Sequence, residues 1–330
     1  MTAPQKILIV TFDNIGDVVM TTGIIRPLKN IFPDTDISYF TKDYAAPILA
    51  NHPLLHRVHT ADPFWDKSPG RPSGSMAAFY KAWKEVKRES YTAAVILNSE
   101  WRRAMAIRLA GIPDRIGANR RKSAIFLTHA VAEDPALLHF SDRHRRLIEE
   151  MWPATDSESD WRPHLPLSAA DREVAQQFRN EAGWPSEKII AIHSSSGDPL
   201  KNWPIENWRE LVNRLHRRRP DVRFLAIGSL PEAPLIGQIF GELPKNHWRI
   251  SGGDLGKLKG LLSASSLLIG MDSGPGHVAA GVGIPVLSLF GPTDPARSAA
   301  RGASIVRVIR RDPIVEIRVE EVEAEAFSIF

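Results

Sequence analysis

Ile269-Gly-Met-Asp-Ser-Gly-Pro-Gly-His-Val-Ala-Ala-Gly-Val-Gly-Ile-Pro-Val-Leu-Ser-Leu-Phe-Gly-Pro-Thr-Asp-Pro295 is the stretch on which the fold turns. It reads as a buried strand over Ser266 to Gly270, an acidic turn, a short helix opened by glycines, and a second strand over Val286 to Phe290. The loop Gly291-Pro292-Thr293-Asp294 follows. Both loops then fall at the carboxyl ends of neighbouring strands, the edge where open α/β sheets bind ligands. Backbone N–H groups of Ser273, Gly274 and Gly276 at a helix N-terminus suit a phosphate or diphosphate. His277, two residues beyond Pro275 on the first helical turn, can donate to the same anion. Glycines in such a turn also serve simply to let the backbone bend.

Composition bounds the rest. The chain has 330 residues, 43% hydrophobic and 24% charged, the make-up of a globular protein long enough for two domains. No apolar run reaches the length of a membrane-spanning helix, and the start leads straight into a strand with no signal-peptide core, so a soluble, cytoplasmic protein is expected. The absence of cysteine excludes disulfides, thiol nucleophiles and cysteine metal sites. The net charge of +4 is unevenly placed. Arg102, Arg103, Arg108, Arg115, Arg120, Arg121 and Lys122 stand against one acid, Asp114, and Arg143-His144-Arg145-Arg146 follows. Such a stretch is either a solvated helix face or a surface for an anionic acceptor, an anionic membrane or nucleic acid. No helix-turn-helix, RNP or zinc pattern favours nucleic acid, and none is expected as a partner.

Lys6-Ile-Leu-Ile-Val-Thr-Phe12 is a continuous apolar run of the kind found in central parallel strands. It feeds Asp13-Asn14-Ile15-Gly16-Asp17 and a helix expected from Val18 to Ile31, closed by Pro33. Asp17 stands at the helix N-terminus, where an aspartate caps and where its carboxylate is expected to keep a low pKa. Further βα units follow: a strand over Asp36 to Thr41, a short strand near Arg57, a helix over Met76 to Arg88 and a strand over Ala93 to Leu97. The polar segment Pro153 to Asp160 marks a boundary near residue 158. Beyond it, Ser168 caps a helix to about Ala182, and Lys188-Ile-Ile-Ala-Ile-His193 starts a second series of strands.

The loop after that strand carries Ser194, Ser195 and Ser196, then Lys201 before Trp203-Pro204. Three hydroxyls and a compact positive charge suit phosphate contacts; an ordinary polar loop with a surface lysine is the bland alternative. Glu232, after the strand Val222 to Ile227, is placed to accept from ribose hydroxyls or simply to sit at a helix start. Asp272 is placed to bind sugar hydroxyls or to cap its glycine turn. Ile250 to Gly253 reads as a polar loop beside a base. The tail from Val315 reads as a helix returning across the domain junction.

Asp272-Ser273-Gly274-Pro275-x-His277, followed by Phe290-Gly291-Pro292-Thr293-Asp294-Pro295, resembles the donor signature of the ADP-heptose:lipopolysaccharide heptosyltransferases, glycosyltransferase family 9. Asn14-Ile-Gly-Asp-Val18 with Thr21-Thr22 looks like the first motif of that family, and Lys201-x-Trp203-Pro204 like its second. The resemblance implies a GT-B architecture, α/β throughout: two Rossmann-like domains facing across a cleft. Residues 1–157 would bind acceptor and 158–330 the nucleotide sugar. It implies inverting transfer of a heptose or related sugar, with Asp17 as general base and Lys201 on the donor diphosphate. Gly16, Thr21, Thr22, Arg120, Arg121 and Lys122 fall to the acceptor side. The implied partners are an ADP-heptose donor, an anionic glycan or glycolipid acceptor and, peripherally, the inner membrane surface. No cofactor is called for, and with no Asp-x-Asp motif after a strand and no His-x-x-x-His pair on an expected helix face no metal is either. Another GT-B enzyme, such as a nucleotide-sugar epimerase, and a non-catalytic nucleotide-sugar or polyanion binder stay open as rival classes.

Overall fold

The computed structural model describes residues 3–66, 73–98, 100–120, 122–153 and 159–330. The chain divides into two units, Met1–Pro163 and His164–Phe330. The boundary expected near residue 158 lies outside the described residues.

In the first unit, β1 (Lys6–Thr11), β2 (Asp36–Thr41), β3 (Arg57–Thr60), β4 (Ala93–Ile96), β5 (Asp114–Ala118) and β6 (His129–Val131) form one sheet in the order β3-β2-β1-β4-β5-β6. Every pairing is parallel. The helices are α1 (Ile15–Thr21), α2 (Ile25–Ile31), α3 (Met76–Arg88), α4 (Trp101–Leu109) and α5 (Phe140–Met151). Side chains alternate across β1, so Ile7 and Ile9 join Val18, Leu28 and Leu147 in one core layer. Leu8 and Val10 join Phe79, Val86 and Ile107 in the other. That two-sided burial is why the strand reads as an unbroken apolar run, and truncating Ile9 to Ala would cost about 2–5 kcal/mol.

The helix expected from Val18 to Ile31 is two helices with a 3-10 turn over Thr22–Ile24 between them. Thr21 and Thr22 donate their hydroxyls back to the carbonyls of Val18 at 2.6 Å and Val19 at 2.7 Å, a bond that competes with the helix ladder. Gly23 lies in this turn, where a Cβ would run into the carbonyl of Trp161.

In the second unit, β7 (Ile189–His193), β8 (Arg223–Ser229), β9 (Trp248–Gly252), β10 (Leu267–Met271), β11 (Val286–Phe290) and β12 (Val306–Arg310) repeat the same parallel order, β12-β11-β10-β7-β8-β9. Its helices are α6 (Ala169–Ala182), α7 (Ile205–Arg218), α8 (Ala233–Phe240), α9 (Leu258–Ser263), α10 (Gly274–Val282), α11 (Pro295–Ser298) and α12 (Val319–Ile329). β9, read from sequence as a polar loop, is an edge strand on β8. Its half-exposed residues carry no apolar run to announce it. The C-terminal tail, expected to return to the first domain, places Ile317, Val319, Val322 and Ala326 in the core of the second unit. Trp203 holds it there through a 3.0 Å bond from Nε1 to the Ile317 carbonyl, and Arg214 through a 2.8 Å ion pair with Glu323.

Candidate active site

Each sheet reverses its strand order beside its first strand, between β1 and β4 and between β7 and β10. The carboxyl ends at such a point open a crevice between diverging loops. Asp17 in the first unit, and Ser194, Ser195, Ser196, Lys201 and Asp272 in the second, follow the strands that flank these two points.

In the first unit, Phe12-Asp13-Asn14 turns the chain from β1 into α1. The Asn14 N–H donates to Asp17 Oδ2 at 3.3 Å, so Asp17 closes the first turn of the helix. Burial, and after it the neighbouring Asp13 carboxylate, push the Asp17 carboxyl from 3.8 up to about 6. The Asn14 N–H, Arg103 and Lys42 pull the other way and lose. This reverses the low value expected at a helix N-terminus: one cap hydrogen bond does not offset lost hydration beside a like charge. A carboxyl titrating near 6 is basic enough to accept a proton and still ionised at neutral pH.

Asp13 ties the surrounding loops together. It accepts from Asn98 Nδ2 at 2.8 Å, across the switch point after β4, and from Arg103 at 3.1 Å. Arg103 also donates to the Phe12 carbonyl at 3.0 Å, and Tyr44 donates to Asn14 Oδ1 at 2.8 Å from the loop after β2. Asn98 holds a left-handed backbone, φ 51°, which a short polar side chain tolerates.

The residues expected on the acceptor side separate. Gly16 is buried in the first turn of α1. Thr21 and Thr22 are buried as well, and their hydroxyls donate within the helix break described above. Arg120 reaches Asn98 Oδ1 at 3.5 Å and Glu133 at 3.7 Å, which brings it to the Asp13 network. Lys122 is exposed on a left-handed turn, and Arg121 lies outside the described residues. Other members of the basic stretch turn inward. Arg115 donates to the carbonyls of Ile112, Pro113 and Phe126, and Arg103 to Asp13.

In the second unit, Lys201 Nζ donates to Asp272 Oδ2 at 2.7 Å across the switch point, and Thr293 donates to the same oxygen at 2.8 Å. Asp272 therefore neither caps the glycine turn nor stands open: it holds Lys201 and the loop after β11 in place. Ser195 donates to Glu232 Oε1 at 2.5 Å, while Glu232 Oε2 accepts from the Ser229 N–H at 2.7 Å and its hydroxyl at 2.6 Å. Burial pushes the Glu232 carboxyl up, but these hydrogen bonds outweigh it and hold the group below its ordinary value. The Ser196 hydroxyl donates to the Asp198 carbonyl at 2.9 Å. Among the described residues the Ser194 hydroxyl alone of the three has no protein partner.

Ser273 caps α10, with Gly274 and Pro275 opening its first turn. The Gly276 N–H, expected to face an anion, instead donates to the Ser273 carbonyl at 3.2 Å. Gly276 packs closely on β11, where a Cβ would meet Ser288 Oγ at 3.7 Å. His277 is buried on the same helix. Among the described residues, no three His, Cys, Asp or Glu side chains gather to hold a metal ion.

Compared with known proteins, residues 79–321 match glycosyltransferase family 9 (heptosyltransferase). The chain belongs to glycosyltransferase family 9. It is 28% identical over 310 residues to lipopolysaccharide heptosyltransferase 1 of Pseudomonas aeruginosa, with 92% of this chain and 83% of that protein covered. A solved family 9 glycosyl transferase from Veillonella parvula superposes with a TM-score of 0.84 at 20% identity, covering 98% of this chain and 97% of its own. The E. coli heptosyltransferase WaaC with ADP superposes with a TM-score of 0.80 at 17% identity, covering 98% of this chain and all, 100%, of its own. The architecture is GT-B, and the resemblance read from the three motifs is borne out.

This family 9 glycosyltransferase also holds site residues that sequence reasoning passed over. Asp13, Asn98, Arg103 and Tyr44 have no diagnostic spacing, and Asp13 meets its partners Asn98 and Arg103 only through the fold. The one available signal was the position of Asp13 and Asn98 directly after two apolar strand runs.

Proposed function

We propose that the protein transfers a heptose, or a related sugar, from an ADP-sugar to a glycan acceptor with inversion at the anomeric carbon and without a metal ion. The observation that carries this reading is Asp17, a carboxyl raised to about 6 at the carboxyl edge of the first sheet. Asp17 takes the proton from an acceptor hydroxyl as that oxygen attacks the anomeric carbon and the nucleoside diphosphate departs. Lys201, His277 and the free N–H groups at Ser273 and Gly274 meet the charge that develops on the leaving diphosphate. Ser194 is the hydroxyl left to join them, and Glu232 takes the ribose hydroxyls. Arg120 and Lys122 meet an anionic acceptor. The names of the relatives support a lipopolysaccharide core, or another cell-surface glycan, as the product. On this reading the enzyme acts on the cytoplasmic side, peripheral at the inner membrane.

Asp17→Asn tests the reading, because Asn keeps the cap and cannot take a proton. With ADP-heptose and a core acceptor, nucleotide release should fall roughly 10²–10⁴-fold while donor affinity is kept. A near wild-type rate would move the base elsewhere.

A further inference from the structure

The outer side of α3 carries aromatic, aliphatic and lysine side chains together. At about 100° per residue, Met76, Tyr80, Trp83, Lys84 and Lys87 fall within one sector of roughly 100°, beside the buried sector of Phe79, Ala82 and Val86. Met76 is 65% exposed and Tyr80 52%, so the sector shows large apolar groups to solvent and not merely their edges. Tyr80 and Trp83 stack with ring centroids 5.8 Å apart, and Lys84 and Lys87 lie over these rings at 4.6 and 5.5 Å. Trp83 is held in place by a 2.7 Å bond from Nε1 to the Ala106 carbonyl of α4, and Leu109, a turn further along α4, is 60% exposed. The apolar strip thus continues from one helix to the next.

Its charge is of one sign. Among the described residues neither Lys84 nor Lys87 is in an ion pair, while Glu85 points to the opposite side of α3 and Glu100 is paired with Arg102 at 2.9 Å. Amphipathic rings beside unpaired lysines, with aliphatic side chains between them, match the interface of an anionic bilayer: rings and aliphatics enter the headgroup layer and the ammonium groups meet lipid phosphates. A protein partner fits less well, since protein interfaces are depleted in lysine.

We infer that the face formed by Met76, Tyr80, Trp83, Lys84, Lys87 and Leu109 docks the first unit on an anionic lipid surface. This rests on the peripheral placement proposed above and names the residues that achieve it. Because α3 and α4 pack on the opposite layer from α1, the docked face leaves the Asp17 helix uncovered.

Co-sedimentation with phosphatidylcholine vesicles, with and without phosphatidylglycerol, tests it on the full chain. Wild type should bind the mixed vesicles and not the neutral ones. Lys84→Glu/Lys87→Glu should weaken that binding at least about tenfold, and Met76→Ser/Tyr80→Ser should weaken it in a salt-insensitive way. Arg217→Glu/Lys245→Glu, the same charge change on the second unit, should have little effect. Transfer to an acceptor stripped of its acyl chains should be unchanged in all of them. If wild type ignores anionic vesicles, both the peripheral placement and this face are wrong. If wild type binds but the α3 variants bind equally well, or the control pair loses as much, the placement stands and this face is wrong. Self-association abolished by Met76→Ser/Tyr80→Ser, without vesicle binding, would assign the face to a second copy instead.

Discussion

The Arg103 guanidinium lies 3.1 Å from the Asp13 carboxylate, and both lean on the charge of Asp17 in opposite senses. Asp13 raises the Asp17 carboxyl and Arg103 lowers it. Replacing Arg103 by Met leaves Asp13 uncompensated, so the Asp17 carboxyl should rise further. The acid limb of the pH dependence of kcat/KM should then move to higher pH, while Arg103→Lys should hold it near the wild-type position. An unmoved limb in the Met variant would show that the titrating group is not Asp17.

The same carboxyl makes stability depend on pH. Its folded-state value, about 6, exceeds the ordinary 3.8, so its contribution is fully present below 3.8 and is lost as pH rises through 6. Removing the ionisable group with Asp17→Asn should therefore stabilise the protein at pH 8 and not at pH 3.5. After allowance for partial exposure the gain is about 1–2 kcal/mol. Denaturant unfolding at the two pH values measures it, and equal effects at both would refute the burial argument.

Lys201 and Asp272 form a pair whose members should not be removed singly. Lys201→Ala strands a largely buried carboxylate and should cost about 1.5–3 kcal/mol of stability, which the double variant Lys201→Ala/Asp272→Asn should largely restore. Calorimetry separates the ligand role: both Lys201 variants should lose affinity for ADP far more than for adenosine. Equal losses for the two ligands would exclude a diphosphate contact.

Transfer activity should survive exhaustive treatment with EDTA, because Lys201 and the first turn of α10 present fixed positive charge where a cation would otherwise be needed. Activity abolished by chelation and regained with magnesium or manganese would overturn metal independence.

The central strands were legible because burial on both faces removes polar residues: the apolar runs at Lys6, Ala93 and Ile189 all became inner strands. Edge strands such as β6, β9 and β12 carry half-polar sequences and were passed over or read as loops. In the site, Asp17, Lys201 and Asp272 were visible through their motifs, but not their surroundings. The Asp17 cap is a local feature and its desolvation is not, so the direction of its pKa came out reversed. Thr21 and Thr22 show hydroxyls in sequence, while only the helix register decides that these point at Val18 and Val19. Charge counting likewise marked Arg103 and Arg115 as surface cations, and the fold turned them onto internal acceptors.

Both units close a complete parallel sheet in the same strand order, and no strand of either sheet is contributed by the other unit. A recombination joint between codons 163 and 164 would therefore leave every strand pairing intact on both sides. Chimaeras that join the front half of one relative to the back half of another should fold, each half keeping its own sheet.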